Sequence, residues 1–304
     1  MKNLQQLVSI LFLLLSLHSY SQQEAHFTQY FDNTLFVNPA YAGSRGMLNA
    51  TAIHREQWVG IDGRPRSTTF SLHSPLTYEN IGVGLTAVND VIGPINQTMI
   101  YGDFSYTLNF KNSNGKLAFG LKGGVNIINS RTNELVTTQS DDPSLLAAAR
   151  NQILPNFGFG VYYHTPKWFV GVSTPKLLQG SYDKTSLARE KRHYFLIGGG
   201  VFNLAERWKL RPTTQLKFTE GAPMSIDLSA AFIYREKLWL GLMHRWADSF
   251  GAFIQYQITP QFKAGFAYDQ TITKLASYNL GSYELMLSYD FVFKKKGLRS
   301  PRYF

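Results

Sequence analysis

Apolar and polar side chains alternate one by one along much of this chain, and that period suits an extended strand with two unlike faces. Between Tyr283 and Phe293, one side carries Tyr283, Leu285, Leu287, Tyr289, Phe291 and Phe293. The other carries Glu284, Met286, Ser288, Asp290 and Val292. Neighbouring side chains leave a strand in opposite directions, whereas a helix returns to the same face only after about 3.6 residues. Phe250, Ala252, Ile254, Tyr256 and Ile258 oppose Gln255 and Gln257 in the same way, and Phe262, Phe266 and Tyr268 oppose Lys263 and Asp269. Gly102–Phe110, Leu117–Ile127 and Ile226–Tyr234 repeat the division. The apolar face is large and aromatic in nearly every stretch, which the 17 Tyr and 22 Phe of the chain make possible.

Such strands must hide the apolar face or turn it to lipid. A soluble sandwich would bury it between two sheets, whereas a transmembrane barrel would keep the polar set in its lumen. About 14 stretches reach membrane-spanning length: 46–58, 66–74, 80–89, 97–110, 116–129, 155–164, 167–173, 192–204, 207–218, 225–234, 236–245, 248–258, 261–271 and 282–293. Beyond residue 21 no segment approaches the ~18 continuous apolar residues of a membrane helix. The links Lys111–Gly115, Thr165-Pro166, Ala205-Glu206, Arg235-Glu236 and Thr259-Pro260 are short and follow even-numbered strands. The long links, 130–153, 174–191 and 272–281, follow odd-numbered ones. A barrel with an even strand count has both termini on one side, with tight turns there and longer loops outside. The expected fold is an all-β, transmembrane antiparallel β-barrel of about 14 strands with both termini periplasmic.

Residues 1–21 read as a signal peptide. Lys2 precedes an apolar run from Leu7 to Leu17 that is too short to span a bilayer, and Ser19 and Ser21 place cleavage before Gln22. The chain then divides into a periplasmic lead-in or plug at 22–45, a barrel at 46–293 and a basic periplasmic tail at 294–304. There is no Cys, so disulfides, thiolate metal sites and a lipid-anchored cysteine are excluded. The net charge of +10 is spread over clusters such as Lys294-Lys295-Lys296 and over single strand positions. That distribution suits anionic headgroups or an acidic partner and offers no stripe for nucleic acid.

Residues 22–45 do not alternate. His26-Phe-Thr-Gln-Tyr30 and Asn38-Pro-Ala-Tyr-Ala-Gly43 form an irregular run in which Pro39 fixes its own φ and Gly43 permits a turn into the first strand. By themselves these residues suit a tether. With His54–Pro65, Ser71–Pro75, Ile81-Gly-Val-Gly84, Asn89-Asp90, Ile92-Gly-Pro94 and Pro155–Gly160, they resemble the PorP/SprF family of the Bacteroidetes type IX secretion and gliding-motility machinery. The resemblance covers most of residues 25–180; the C-terminal half agrees more in pattern than in motif.

That resemblance implies an integral outer-membrane protein that works with secretion components. Its partner would be a secreted surface protein of the adhesin type, or periplasmic motor-associated parts. The positions carried over for partner binding are Asn38, Pro39, Ala40, Tyr41 and Gly43 in the lead-in, then Arg55, Gln57, Trp58, Gly60, Asp62, Gly63 and Pro65, and finally Asn89, Asp90, Gly93 and Pro94. Trp58 is equally well read as a membrane-interface anchor.

Nothing in the chain forms an enzyme motif. The seven His lack paired zinc spacing, and neither a nucleophile elbow nor a phosphate-binding glycine loop is present. Ser71 and His73 share a face but lack a third orienting group. No catalytic residue, cofactor or metal is expected. The competing function is a passive outer-membrane channel or small-solute transporter, since a barrel of about 14 strands encloses a lumen unless something fills it.

Overall fold

The computed structural model describes residues 25–76, 78, 80–110, 114–130, 152–180 and 191–292. The signal peptide, the centre of the 130–153 link and the basic tail lie outside them.

The alternating stretches form β1 (Leu48–Glu56), β2 (Arg66–Pro75), β3 (Ile81–Ile92), β4 (Ile95–Asn109) and β5 (Lys116–Ser130). They continue as β6 (Gln152–His164), β7 (Trp168–Thr174), β8 (His193–Gly200), β9 (Phe202–Ala205) and β10 (Trp208–Thr219). The last five are β11 (Ser225–Tyr234), β12 (Leu238–Arg245), β13 (Ser249–Gln257), β14 (Phe262–Thr271) and β15 (Ser282–Phe291). Each pairs antiparallel with its neighbours, and β15 returns to β1, with Leu48 opposite Phe291 and Glu56 opposite Tyr283.

β8 and β9 are two halves of one stave, both paired with β10, so the closed barrel has 14 staves. The break follows Gly198-Gly-Gly200, where the chain passes through Val201 and the register shifts between Trp208 and Lys209. A run of glycines inside a strand marks such a kink. Each of the 14 expected stretches overlaps one stave, although β3, β4 and β6 run beyond the expected ends. Closure removes the sandwich alternative, because no second sheet is left to cover the outer face.

The start of β1 and the end of β15 share one rim, called here the terminus rim. Every connection on it is short. The opposite loop rim carries the long links 57–65, 131–151, 175–192 and 272–281, but also three short ones, at Gly93-Pro94, 220–224 and 246–248. Gly93, at φ 54°, takes the left-handed first position of a two-residue turn.

The two faces separate as the alternation requires. Leu285 and Leu287 are exposed outside, whereas Glu284 and Met286 are sealed inside. Ring pairs gird the terminus rim, among them Tyr163 with Trp168, Trp208 with Tyr234, and Phe262 with Tyr289. Aromatic belts of this kind sit at the lipid–water boundary.

The hydrophobic core lies within the lumen. Residues 25–47 enter it as three short turns, Tyr30–Asp32, Thr34–Val37 and Pro39–Tyr41. Phe27, Phe31, Leu35, Val37 and Ala40 pack there with inward residues of the wall, including Ile53, Met99, Tyr162, Ile233, Trp239, Phe253 and Met286. Burying a side chain such as Leu35 contributes about 1.5–3 kcal/mol, so apolar contact alone holds this segment firmly.

Candidate functional site

The positions singled out in the sequence gather at the two ends of the barrel. Asn38, Pro39, Ala40, Tyr41 and Gly43 lie inside the lumen towards the terminus rim. Asn38 organises the turn: its Oδ1 accepts from the Ala40 N–H at 3.0 Å, and its Nδ2 donates to the Val161 carbonyl at 3.0 Å. Pro39 opens the turn with the φ it needs.

This segment presses directly on wall glycines, with its backbone at Gly120 and with the Asn38 side chain at Gly160. A Cβ on Gly120 would stand 2.1 Å from Ala40 N, and one on Gly160 2.1 Å from Asn38 Oδ1. Only glycine allows approaches that close. Ser105 donates to the Ala42 carbonyl at 2.7 Å, and Gly43 donates its N–H to His73 Nδ1 at 3.1 Å. Tyr41 packs edge-on against His73 and Tyr162. The strings Asn38–Gly43 and Pro155–Gly160, separate in the sequence, are therefore two sides of one contact.

Charged side chains of the wall fasten the rest of the segment. Asp32 accepts from Lys263 Nζ and Gln255 Nε2, each at 2.5 Å, and Arg211 lies over the Phe31 ring at 4.1 Å. Nearer the loop rim, the Glu284 carboxylate takes the N–H groups of Thr28 and Gln29, while Thr28 Oγ1 donates to Asp269 at 2.7 Å. Arg55 Nη1 lies 2.5 Å from Asp269 and 2.7 Å from Glu284. His26 meets Lys217 and lies 3.6 Å from Asp227, which Arg245 holds at 2.9 Å. Ionised groups in a dry interior need partners like these, since an isolated buried charge costs several kcal/mol.

The second gathering is on the loop rim. Gln57 donates its N–H to the Pro65 carbonyl at 2.9 Å, closing the link between β1 and β2. Trp58 and Gly60 hold positive φ of 53° and 102°. Val59 and the 272–281 link exchange backbone bonds, from Val59 N to Gly281 O at 2.9 Å and from Leu280 N to Val59 O at 2.7 Å. Gly93 donates to the Gly63 carbonyl at 2.9 Å. Three links, with Asp62 and Pro94 among their residues, thus form one braced platform. Asp90 faces inward and accepts from Ser67 at 2.5 Å, and Asn89 bonds Asn96 and Thr98. Arg55 belongs to the lumen.

Sequence reasoning missed Asp32 and its partners. No local pattern links Asp32 to Lys263, and only the inward register of Lys263 could have flagged it. Arg211, Lys217, Asp227 and Glu284 are buried charges of the wall, and Asp290 is partly buried beside Arg45. Lys209 pairs with Glu236 at the terminus rim and is only partly buried. Ser71 and His73 do face the lumen together, but His73 serves the Gly43 N–H and Ser71 approaches the Thr51 carbonyl at 3.5 Å. Among the described residues no group of three or more His, Cys, Asp or Glu could hold a metal.

The profile of the family described as "Type IX secretion system membrane protein PorP/SprF" matches residues 19–289. Solved structures with similar architecture include the outer membrane protein Omp33 of Acinetobacter baumannii, at 11% identity and TM-score 0.47, over 82% of this chain and 100% of that one. The CymD monoaromatic hydrocarbon channel gives 12% identity and TM-score 0.47, over 86% and 100%. The KdgM porin gives 12% and 0.38, over 80% and 99%. No curated protein matches the chain. The closed barrel, its apolar outer face and the family match make this an integral protein of the bacterial outer membrane.

Proposed function

We infer the role of this chain from the family it belongs to, the PorP/SprF membrane proteins of the type IX secretion system. It is a non-enzymatic outer-membrane component, and its braced loop rim docks an exported, adhesin-like protein for passage to or retention on the surface. The observation that carries this reading is the filled lumen: residues 25–47 occupy the bore, so the work falls to the rims. The same filling disfavours the competing channel reading. In this proposal the terminus rim faces the periplasm, as its uniformly short turns suggest, and is free to meet periplasmic secretion components. Residues 1–21 are the signal peptide, 22–45 the plug, 46–293 the barrel and 294–304 a periplasmic tail.

The test replaces the chromosomal gene with a Gly60→Val version, which strains the loop platform at φ 102° without touching the bore. Surface display of the exported adhesin should fall while the amount of folded barrel is unchanged. Normal display would overturn the docking role. Steady conductance of the purified wild-type protein in planar bilayers would overturn the plugged adaptor.

A further inference from the structure

The lumenal segment has a direction. At its start, Thr28 and Gln29 are held by Glu284, the third residue of β15, and by Asp269, two residues before β14 ends at Thr271. Arg55, which joins those carboxylates, is the penultimate residue of β1. His26 meets Lys217, two residues before the end of β10, and Asp227, the third of β11. All five strand ends belong to the loop rim.

At its other end the contacts move to the terminus rim. Ala40 touches Gly120 near the start of β5, and the Ala42 carbonyl lies against Gly82, the second residue of β3. Gly43 bonds His73 near the end of β2, and Arg45 lies 3.5 Å from Asp290 near the end of β15.

We propose that this segment is threaded through the barrel against the direction of β1, so that its first residues form the floor of the loop-side mouth. Ala25 is then reachable from the loop side, although β1 begins at the opposite rim. A partner seated on the loop platform would meet the chain's own N-terminal segment, and a component at the terminus rim would meet the far end of the same stretch. Contact at either face therefore bears on one continuous piece of polypeptide crossing the membrane inside the barrel. The polar latches favour this mode of crossing, because they bond the segment at several heights between the rims.

The chain has no cysteine, so single-cysteine variants report one position each. Ala25→Cys, Tyr278→Cys on the loop rim and Glu206→Cys on the terminus rim are treated with a membrane-impermeant maleimide. Intact cells and cells with a permeabilised outer membrane are compared. Ala25→Cys should be modified under the conditions that modify Tyr278→Cys, whichever rim proves to face outward. Thr34→Cys, deep in the bore, should stay unmodified in both until the barrel is heat-denatured. Ala25→Cys following Glu206→Cys rather than Tyr278→Cys across the two conditions, or remaining unmodified in both, would overturn the threading. Ready modification of Thr34→Cys in the folded barrel would do the same, because the segment would not be seated.

Discussion

Arg55 and Glu284, from the first and last strands, meet across the closure seam with Nη1 2.7 Å from Oε1. Asp269 of the preceding strand closes on the same nitrogen at 2.5 Å, and Thr28 of the lumenal segment joins all three. The seam and the lumenal segment are thus held by one buried cluster.

Removing Arg55 takes away the cation that bonds both buried carboxylates, and leaves them facing each other with only the longer-range charge of Arg245 among the described residues. Arg55→Met should destabilise the barrel by about 3–5 kcal/mol, read as a lower urea midpoint or as loss of heat-modifiable migration. The triple variant Arg55→Met, Asp269→Leu, Glu284→Met leaves no stranded charge and should recover much of that loss. A triple variant no more stable than the single would contradict the account.

Gly160 tests how closely the wall is moulded to the lumenal segment. Gly160→Ala puts a methyl on Asn38 Oδ1 and should dislodge the Asn38–Gly43 turn, so that conductance appears in planar bilayers. Gly123→Ala, where the nearest atom is an outward Phe157 carbon at 3.6 Å, should remain silent. Equal behaviour of the two would show that the close approach at Gly160 does not seat that segment.

Asp32 places an anion of the lumenal segment among wall cations. Asp32→Ala leaves Lys263 buried without its partner and should cost about 3–5 kcal/mol. Adding Lys263→Met should return part of it, and a double-mutant cycle with no coupling would dissolve the pair.

Lipid exposure can be probed at Leu287, where an arginine should cost about 2–4 kcal/mol if the position lies near mid-membrane. In an open barrel Ser288→Arg would be a benign control, since its side chain faces inward. Here Ser288 is buried and bonded to Asn49 and Thr51, with Arg45 beside it. Ser288→Arg should therefore be damaging as well, through overpacking and like charge. A harmless Ser288→Arg would mean that the bore is wet at that height.

The sequence by itself determined the staves and their faces. Alternation is a local property, and a one-residue error would turn every side chain of a strand to the wrong medium. That is why Leu285 and Glu284 could be assigned to opposite sides without coordinates. Residues 22–45 carry no such period, and their motif was legible only as a string with a family resemblance. Their place in the bore depends on contacts between distant positions, such as Asn38 with Gly160 and Asp32 with Lys263. Those pairs meet only once the sheet closes and sets which inward residues face the same height of the lumen. Closure, a property of all the strands together, turned an irregular lead-in into the core of the protein.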